Sequence, residues 1–117
     1  ILVLDAEQAV LSVTGQILSR AGYAVRAAAS GADALAVVQK YGDPLGAVVL
    51  DLAMPQMSGL EALKQIRDVL PTIPVIVASG YSEEEAAEEL AGNTITAFLP
   101  KPFSADALLK HIADALG

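Results

Sequence analysis

The chain has 117 residues, which is enough for one compact domain that buries roughly two-thirds of its unfolded surface but not for two domains. Its formal net charge of −7 excludes the clustered basic surface that binding to nucleic acid requires. The absence of cysteine excludes disulfides, zinc–thiolate sites and thiol catalysis and favours a cytoplasmic location, and no apolar run reaches the ~20 residues of a membrane span.

Five apolar runs alternate with stretches of helical periodicity, in the order ILVLD, YAVRAAA, AVVLD, PVIVAS and TAFLPK. This alternation indicates βα units around a parallel sheet. The runs AVVLD and PVIVAS are apolar until their last residue, which predicts strands covered on both faces, whereas YAVRAAA carries Arg26 and suits an edge. We expect one domain over residues 1–117, excised from a longer protein because the chain begins on a strand without methionine.

The helices between these runs carry start and stop signals. The first helix is predicted from about residue 8 to residue 21, ended by Gly22, and Ser30 can cap the second. Two matches to the capping box predict where the third and fourth helices begin, namely Ser58 with Glu61 and Ser82 with Glu85. In the last helix an apolar residue recurs every fourth position, which predicts a single buried face made by Leu108, Ile112 and Leu116.

Polar residues close four of the five apolar runs. Asp5 ends the first run and Asp51 the third, while Ser79 and Lys101 end the fourth and fifth. The carboxyl ends of the strands of an open parallel sheet line one edge, where ligands bind. One polar residue at a strand end is ordinary. Polar residues at the ends of four strands instead predict one site that brings together two acids, a hydroxyl and an ammonium.

These groups suit phosphoryl transfer. A carboxylate can attack phosphorus, a divalent metal held by carboxylates can neutralise the equatorial oxygens, and a lysine and a hydroxyl can bind the remaining oxygens. Asp51 is the candidate nucleophile.

The motifs LDLAMPQMSGLE, PVIVASGYS and FLPKPFS, together with the initial ILVLD, carry a family resemblance. In this order and at this spacing they resemble bacterial response-regulator receiver domains over essentially the whole chain. The resemblance implies an α/β flavodoxin-like fold, in which a doubly wound sheet of five parallel strands in the order 2-1-3-4-5 has helices on both faces.

The resemblance also implies roles for individual residues. Asp51 would take a phosphoryl group from the phosphohistidine of a histidine kinase or histidine phosphotransfer domain, with Lys101 as the paired ammonium and Ser79 as the hydroxyl that moves towards the phosphate. Phe98 matches the aromatic switch residue, and the signal would leave through the surface of helix 4, strand 5 and helix 5. The Lys101-Pro102 bond matches one that the family holds in the cis form.

The metal site implied by the family is for Mg²⁺, held by Asp5, Asp51 and the backbone carbonyl of Ala53. Receivers usually carry a second acid at the position of Ala6, so we expect a weakened site in which waters replace the missing ligand. Glu7, one position further on, is a candidate substitute, although an acid is also favoured there by the start of a helix.

Two other functions are possible for a chain with these residues, namely protein docking without phosphorylation and phosphate hydrolysis. The loss of the acid at Ala6 fits a degenerate receiver that serves only as a protein docking module, but the joint presence of Asp51, Ser79 and Lys101 argues against it. A phosphohydrolase of the haloacid-dehalogenase type needs a second acid two residues after the nucleophile, where this chain has Ala53.

The wider setting of the domain is predicted only in outline. The segment SGYSEEE, followed by FLPKPF, resembles the corresponding segments of receivers attached to hybrid sensor histidine kinases. As an isolated domain the chain would catalyse only its own phosphorylation and dephosphorylation, without contact to membrane or nucleic acid, and dimerisation is left open.

Overall fold

The computed structural model describes residues 1–41, 45–52, 59–80, 82–90 and 95–117. Strands and helices alternate along the chain as β1 Leu2–Leu4, α1 Gln8–Arg20, β2 Arg26–Ala28, α2 Gly31–Tyr41, β3 Val48–Leu50, α3 Gly59–Val69, β4 Val75–Ser79, α4 Glu83–Leu90, β5 Ala97–Pro100 and α5 Ala105–Leu116. Within these ranges no helix combines the length and the apolar character needed to cross a membrane.

The five strands form one parallel sheet in the order β2-β1-β3-β4-β5. This order and direction confirm the fold predicted from the sequence. The central strands β1, β3 and β4 are buried along their whole length, while β2 lies at an edge and exposes Arg26. The charge in the YAVRAAA run therefore marks the edge strand, as predicted.

Alternate residues of the strands build two hydrophobic layers, one on each face of the sheet. One layer packs the sheet against α2, α3 and α4 and includes Leu2, Leu4, Val48, Leu50, Val75 and Val77. The other packs it against α1 and α5 and includes Val3, Val49, Ile76 and Ala78. Because both faces are covered, the edge formed by the carboxyl ends of the strands is left as the place for polar chemistry.

Local signals end the first helix and begin the second where the sequence predicts. Helix α1 ends at Arg20, and Gly22 follows with a φ of 98°, a left-handed conformation that glycine adopts without steric cost. At the start of α2, the backbone N–H of Asp33 donates to Ser30 Oγ over 3.1 Å, so Ser30 is the N-cap.

The capping box predicted for α4 is confirmed in both directions. The N–H of Glu85 donates to Ser82 Oγ over 3.1 Å, and the N–H of Ser82 donates to Glu85 Oε1 over 3.2 Å. The other predicted box begins at Ser58, which lies outside the described residues, although α3 itself starts at the expected place.

The buried face predicted for the last helix is correct for two of its three residues. Leu108 and Ile112 are fully buried, but Leu116 is 43% exposed, so its predicted burial is wrong. Leu116 lies in the last turn of α5 beside Gly46, just before β3, and it is not part of the hydrophobic layer that contains Leu108 and Ile112.

Candidate functional site

Three of the predicted site residues meet at the carboxyl edge of the sheet. Asp5, Asp51 and Lys101 each follow directly after a strand, namely β1, β3 and β5. Backbone bonds continue the sheet at both acids, because the N–H of Asp51 donates to Leu4 O over 2.9 Å and that of Asp5 donates to Ala28 O over 3.2 Å. The adjacent strands β1 and β3 thus hold the two carboxylates side by side.

Lys101 forms an ion pair with both carboxylates. Its Nζ lies 2.5 Å from Asp5 Oδ2 and 3.3 Å from Asp51 Oδ2. The side chains of Asp5 and Asp51 are only 4% and 8% exposed, and that of Lys101 is 18% exposed. One ammonium therefore lies within ion-pair distance of two buried acids.

The backbone at the end of β5 directs Lys101 towards this site. Its N–H donates to Ser79 O over 2.8 Å, which ties the residue to the end of β4. The Lys101-Pro102 bond is cis, as the family resemblance implies. From this anchor the long side chain reaches past β4 to the acids that follow β3 and β1.

The surroundings of Lys101 favour its charged form. Burial by itself lowers the pKa of the ammonium, but the hydrogen bond to Asp5 and the negative charges of Asp51 and Asp5 outweigh burial and place the pKa above its ordinary value. Lys101 is therefore positive throughout the neutral range.

Lys101 lies closer to Asp5 than to Asp51, which was not predicted, because the family resemblance pairs the lysine with Asp51. Asp5 Oδ1 in addition accepts the backbone N–H of Glu7 over 2.9 Å, so each oxygen of this carboxylate has a partner. An aspartate two residues before the N-cap of a helix is a known signal for such a turn, and it could have identified the contact with Glu7.

Two further predicted residues, Ser79 and Phe98, lie on the strands β4 and β5. Ser79 is the last residue of β4 and is fully buried. Phe98 lies in β5 opposite Val77, is half-buried, and packs against the hydrophobic layer shared with α2, α3 and α4. The roles assigned to both residues stay predictions.

The donor set at this edge fits a hard divalent cation only in part. Two buried carboxylates, Asp5 and Asp51, supply the oxygen ligands that Mg²⁺ prefers, and Mg²⁺ readily keeps waters in its other positions. Ala53 lies outside the described residues. In the part of the chain that the structure describes, no three His, Cys, Asp or Glu side chains are grouped to hold a metal, so Glu7 does not complete a cluster with the two acids.

A groove of about 400 Å³ opens beside this cluster, between the first turns of α1 and residues 101–103, which follow β5. Apolar side chains form much of its wall, and Val13 on α1 is 56% exposed. The residues that line the groove include Glu7, Val10, Val13, Lys101 and Phe103. No motif in the sequence predicts this groove, because its shape depends on how α1 packs beside the segment that follows β5.

Comparison with known proteins agrees with this geometry. The family model described as the response regulator receiver domain matches residues 1–113. The chain belongs to this family. It is therefore a receiver domain of two-component signalling, as its motifs indicated.

The receiver domain resembles both kinases and regulators. It is 36% identical over 116 residues to the sensor kinase CckA of Brucella abortus (strain 2308), covering 99% of this chain and 12% of that protein. It is 36% identical over 114 residues to the response regulator MprA of Mycobacterium leprae, covering 96% of this chain and 48% of that protein. The chain thus spans less than half the length of either relative.

A solved structure confirms the fold. The chemotaxis protein CheY4 of Vibrio cholerae superposes with a TM-score of 0.90 at 30% identity, over 98% of this chain and 96% of that chain. The receiver domain therefore has a CheY-like, flavodoxin-like fold.

Proposed function

We propose that this receiver domain accepts a phosphoryl group on Asp51 from the phosphohistidine of a histidine kinase or histidine phosphotransfer domain. The observation that carries the proposal is the buried Asp51 carboxylate at the carboxyl edge of the sheet, 3.3 Å from the Lys101 ammonium, in a chain of the receiver family. A nucleophile and a fixed positive charge are the two groups that an acceptor of phosphate needs most.

In the proposed reaction a carboxylate oxygen of Asp51 attacks phosphorus. A P–O bond forms while the P–N bond to the donor imidazole breaks, and the electron pair of that bond leaves with the imidazole nitrogen, which takes up a proton. Lys101 offsets the negative charge that the phosphoryl group brings, and the hydroxyl of Ser79 donates to one of its oxygens.

Receiver domains generally bind Mg²⁺, and here Asp5, Asp51 and the carbonyl of Ala53 are the groups that would hold it. When bound, the ion neutralises the equatorial phosphoryl oxygens. Ala6 adds no carboxylate, so we expect lower affinity than in a receiver with two adjacent acids.

The proposed signal passes from Asp51 through Ser79 and Phe98 to the surface of α4, β5 and α5. The neighbouring strands β4 and β5 support this route, because Ser79 lies opposite Pro100 and Val77 opposite Phe98. The similarity to the sensor kinase CckA supports attachment to a hybrid kinase, and the sequence that flanks the domain in the full-length protein tests that part.

A docking module that no longer takes phosphate is the second candidate. Ala6 favours it, since the site lacks one acid and the described residues form no group of three side chains that could hold a metal. Retention of both Asp51 and Lys101 favours the first candidate, because docking by another surface gives no reason to keep a buried ion pair that is costly to desolvate.

Intact-mass measurement after incubation with acetyl phosphate and excess Mg²⁺ separates the two candidates. We expect the wild-type protein to gain the mass of one phosphoryl group and Asp51→Asn to gain none. Asp68→Asn is the matched control, because it makes the same change on the exposed face of α3. An unchanged wild-type mass at every Mg²⁺ concentration would favour docking alone, and a mass gain in Asp51→Asn would move the acceptor elsewhere.

A further inference from the structure

We propose that the open edge of β2 binds an extended acidic segment of a partner protein, which adds to the sheet as a further strand and places its carboxylates on Arg26 and Lys40. Arg26, Ala27, Lys40 and Tyr41 form this site, which we call the β2 surface. Arg26 lies opposite Leu2 at the start of β1, whereas the proposed phosphate acceptor follows the end of β3. The inference therefore does not rest on the proposed function.

The backbone of β2 is the first reason. This strand is the last one at its side of the sheet that the described residues form. The N–H of Arg26 donates to Ile1 O over 2.8 Å, and Ala28 O accepts from the N–H of Asp5 over 3.2 Å. Because the backbone groups of successive strand residues point to opposite sides, the N–H and C=O of Ala27 point away from β1. The open edge thus offers one donor and one acceptor to an incoming strand.

Two cations on one aromatic ring are the second reason. Arg26 Cζ lies 4.2 Å and Lys40 Nζ lies 5.3 Å from the centre of the Tyr41 ring, and both charged side chains are exposed. The ring attracts both cations and restricts the positions that these long side chains adopt. A charge that only keeps the edges of two molecules apart needs no fixed position. The arrangement therefore favours binding over simple repulsion.

The charges of the β2 surface select an acidic partner. Among the residues that the structure describes, neither Arg26 nor Lys40 forms an ion pair with a carboxylate. Carboxylates suit both cations, and a guanidinium can bind one through two parallel N–H groups. The whole chain carries −7, but at physiological ionic strength exposed charges are screened beyond about 8 Å. A bound segment therefore responds mainly to the two cations beside it.

A second copy of this chain fits the β2 surface less well. Pairing of two β2 edges would bring the Arg26 and Lys40 side chains of both copies into one surface, and like charges on neighbouring strands repel each other. An acidic segment uses the same backbone groups without that cost. Sedimentation equilibrium of the protein alone detects self-pairing, and a dimer that Arg26→Gln strengthens would overturn the proposal.

Fluorescence anisotropy tests the charge selection. The probe is a short fluorescein-labelled peptide that alternates glutamate and threonine, because alternation places all its carboxylates on one face of a strand. We expect saturable binding that weakens with added salt, and a dissociation constant at least about fivefold higher for Arg26→Gln/Lys40→Gln.

The matched control is Lys64→Gln/Lys110→Gln, which makes the same change in net charge at exposed positions of α3 and α5. It should bind the peptide as the wild type does. Failure of the wild type to bind, or equal weakening in the two double variants, would overturn the proposal.

Amide hydrogen exchange followed by NMR tests strand addition without any variant. The bound peptide should slow exchange of the Ala27 N–H, while the Arg26 N–H, already bonded to Ile1 O, changes little. A peptide with N-methylated backbone amides keeps its charges but loses its donors, so we expect at least about fivefold weaker binding. Unchanged exchange at Ala27, or equal affinity of the two peptides, would show attraction by charge alone and refute the added strand.

Discussion

At the scale of single residues, Lys101 connects the chemistry of the site to the stability of the fold. Two buried carboxylates side by side repel each other, and the ammonium of Lys101 is the positive group that the structure places between them. Because removal of one partner leaves the other charges buried and unpaired, such a group is costly to delete. The contact to which the proposed function assigns phosphoryl transfer is therefore also expected to stabilise the fold.

The raised pKa of Lys101 predicts how this stabilisation depends on pH. A group whose pKa is higher in the folded than in the unfolded protein stabilises fully below the unfolded value, and the effect is lost as the pH rises through the folded value. In metal-free buffer we expect Lys101→Met to lower the free energy of unfolding by about 2 kcal/mol at neutral pH. Above the ordinary pKa of lysine, the gap to wild type should shrink.

Urea titrations at a series of pH values check this prediction, with Lys110→Met as the control for the loss of one positive charge. The control should follow the wild type at every pH. A gap between Lys101→Met and wild type that stays constant into the alkaline range would show that the ion pair is not its source.

At the scale of elements, local signals set where the helices begin and neighbours set how long the strands are. Ser30 and Ser82 start α2 and α4 at the predicted places, because a side-chain oxygen satisfies an N–H group within its own turn. The run YAVRAAA, in contrast, forms a strand only over Arg26–Ala28. Its partner β1 is itself three residues long, and a strand exists only where a neighbour pairs with it.

The capping box of α4 gives a prediction at this scale. We expect Ser82→Ala to lower the free energy of unfolding by about 1 kcal/mol, because the N–H of Glu85 loses its acceptor at the start of an eight-residue helix. Ser19→Ala is the control, since Ser19 lies exposed near the end of α1 and alanine is the better helix former. Urea denaturation of the two variants measures the difference, and equal stability would mean that tertiary packing alone holds α4 in place.

At the scale of the whole molecule, the two hydrophobic layers decide which residues contribute to stability. The layer between the sheet and α1 and α5 contains Leu108 and Ile112 but not Leu116, although the three share one helix face in the sequence. Periodicity identifies a face of a helix, but it does not state how far the partner surface extends along that face.

This difference predicts unequal costs for the same kind of truncation. We expect Ile112→Ala to lower the free energy of unfolding by about 2–5 kcal/mol, because it leaves a cavity in a fully packed layer. Leu116→Ala should cost less than about 1 kcal/mol, since a side chain that is 43% exposed has less apolar surface to return to water. Thermal or urea unfolding of both proteins checks the order, and equal costs would place the last turn of α5 inside the core.

The family resemblance implied the strand order, and the sequence by itself determined the class of fold and the edge of the sheet that carries polar groups. It could do so because apolar runs, capping residues and strand ends depend on neighbours within a few positions along the chain. Only the tertiary structure decided that Lys101 lies closer to Asp5 than to Asp51 and that Leu116 is exposed. The first depends on how far the Lys101 side chain reaches across the sheet, and the second on where the packed layer ends along α5. The local spacing of residues in the sequence specifies neither.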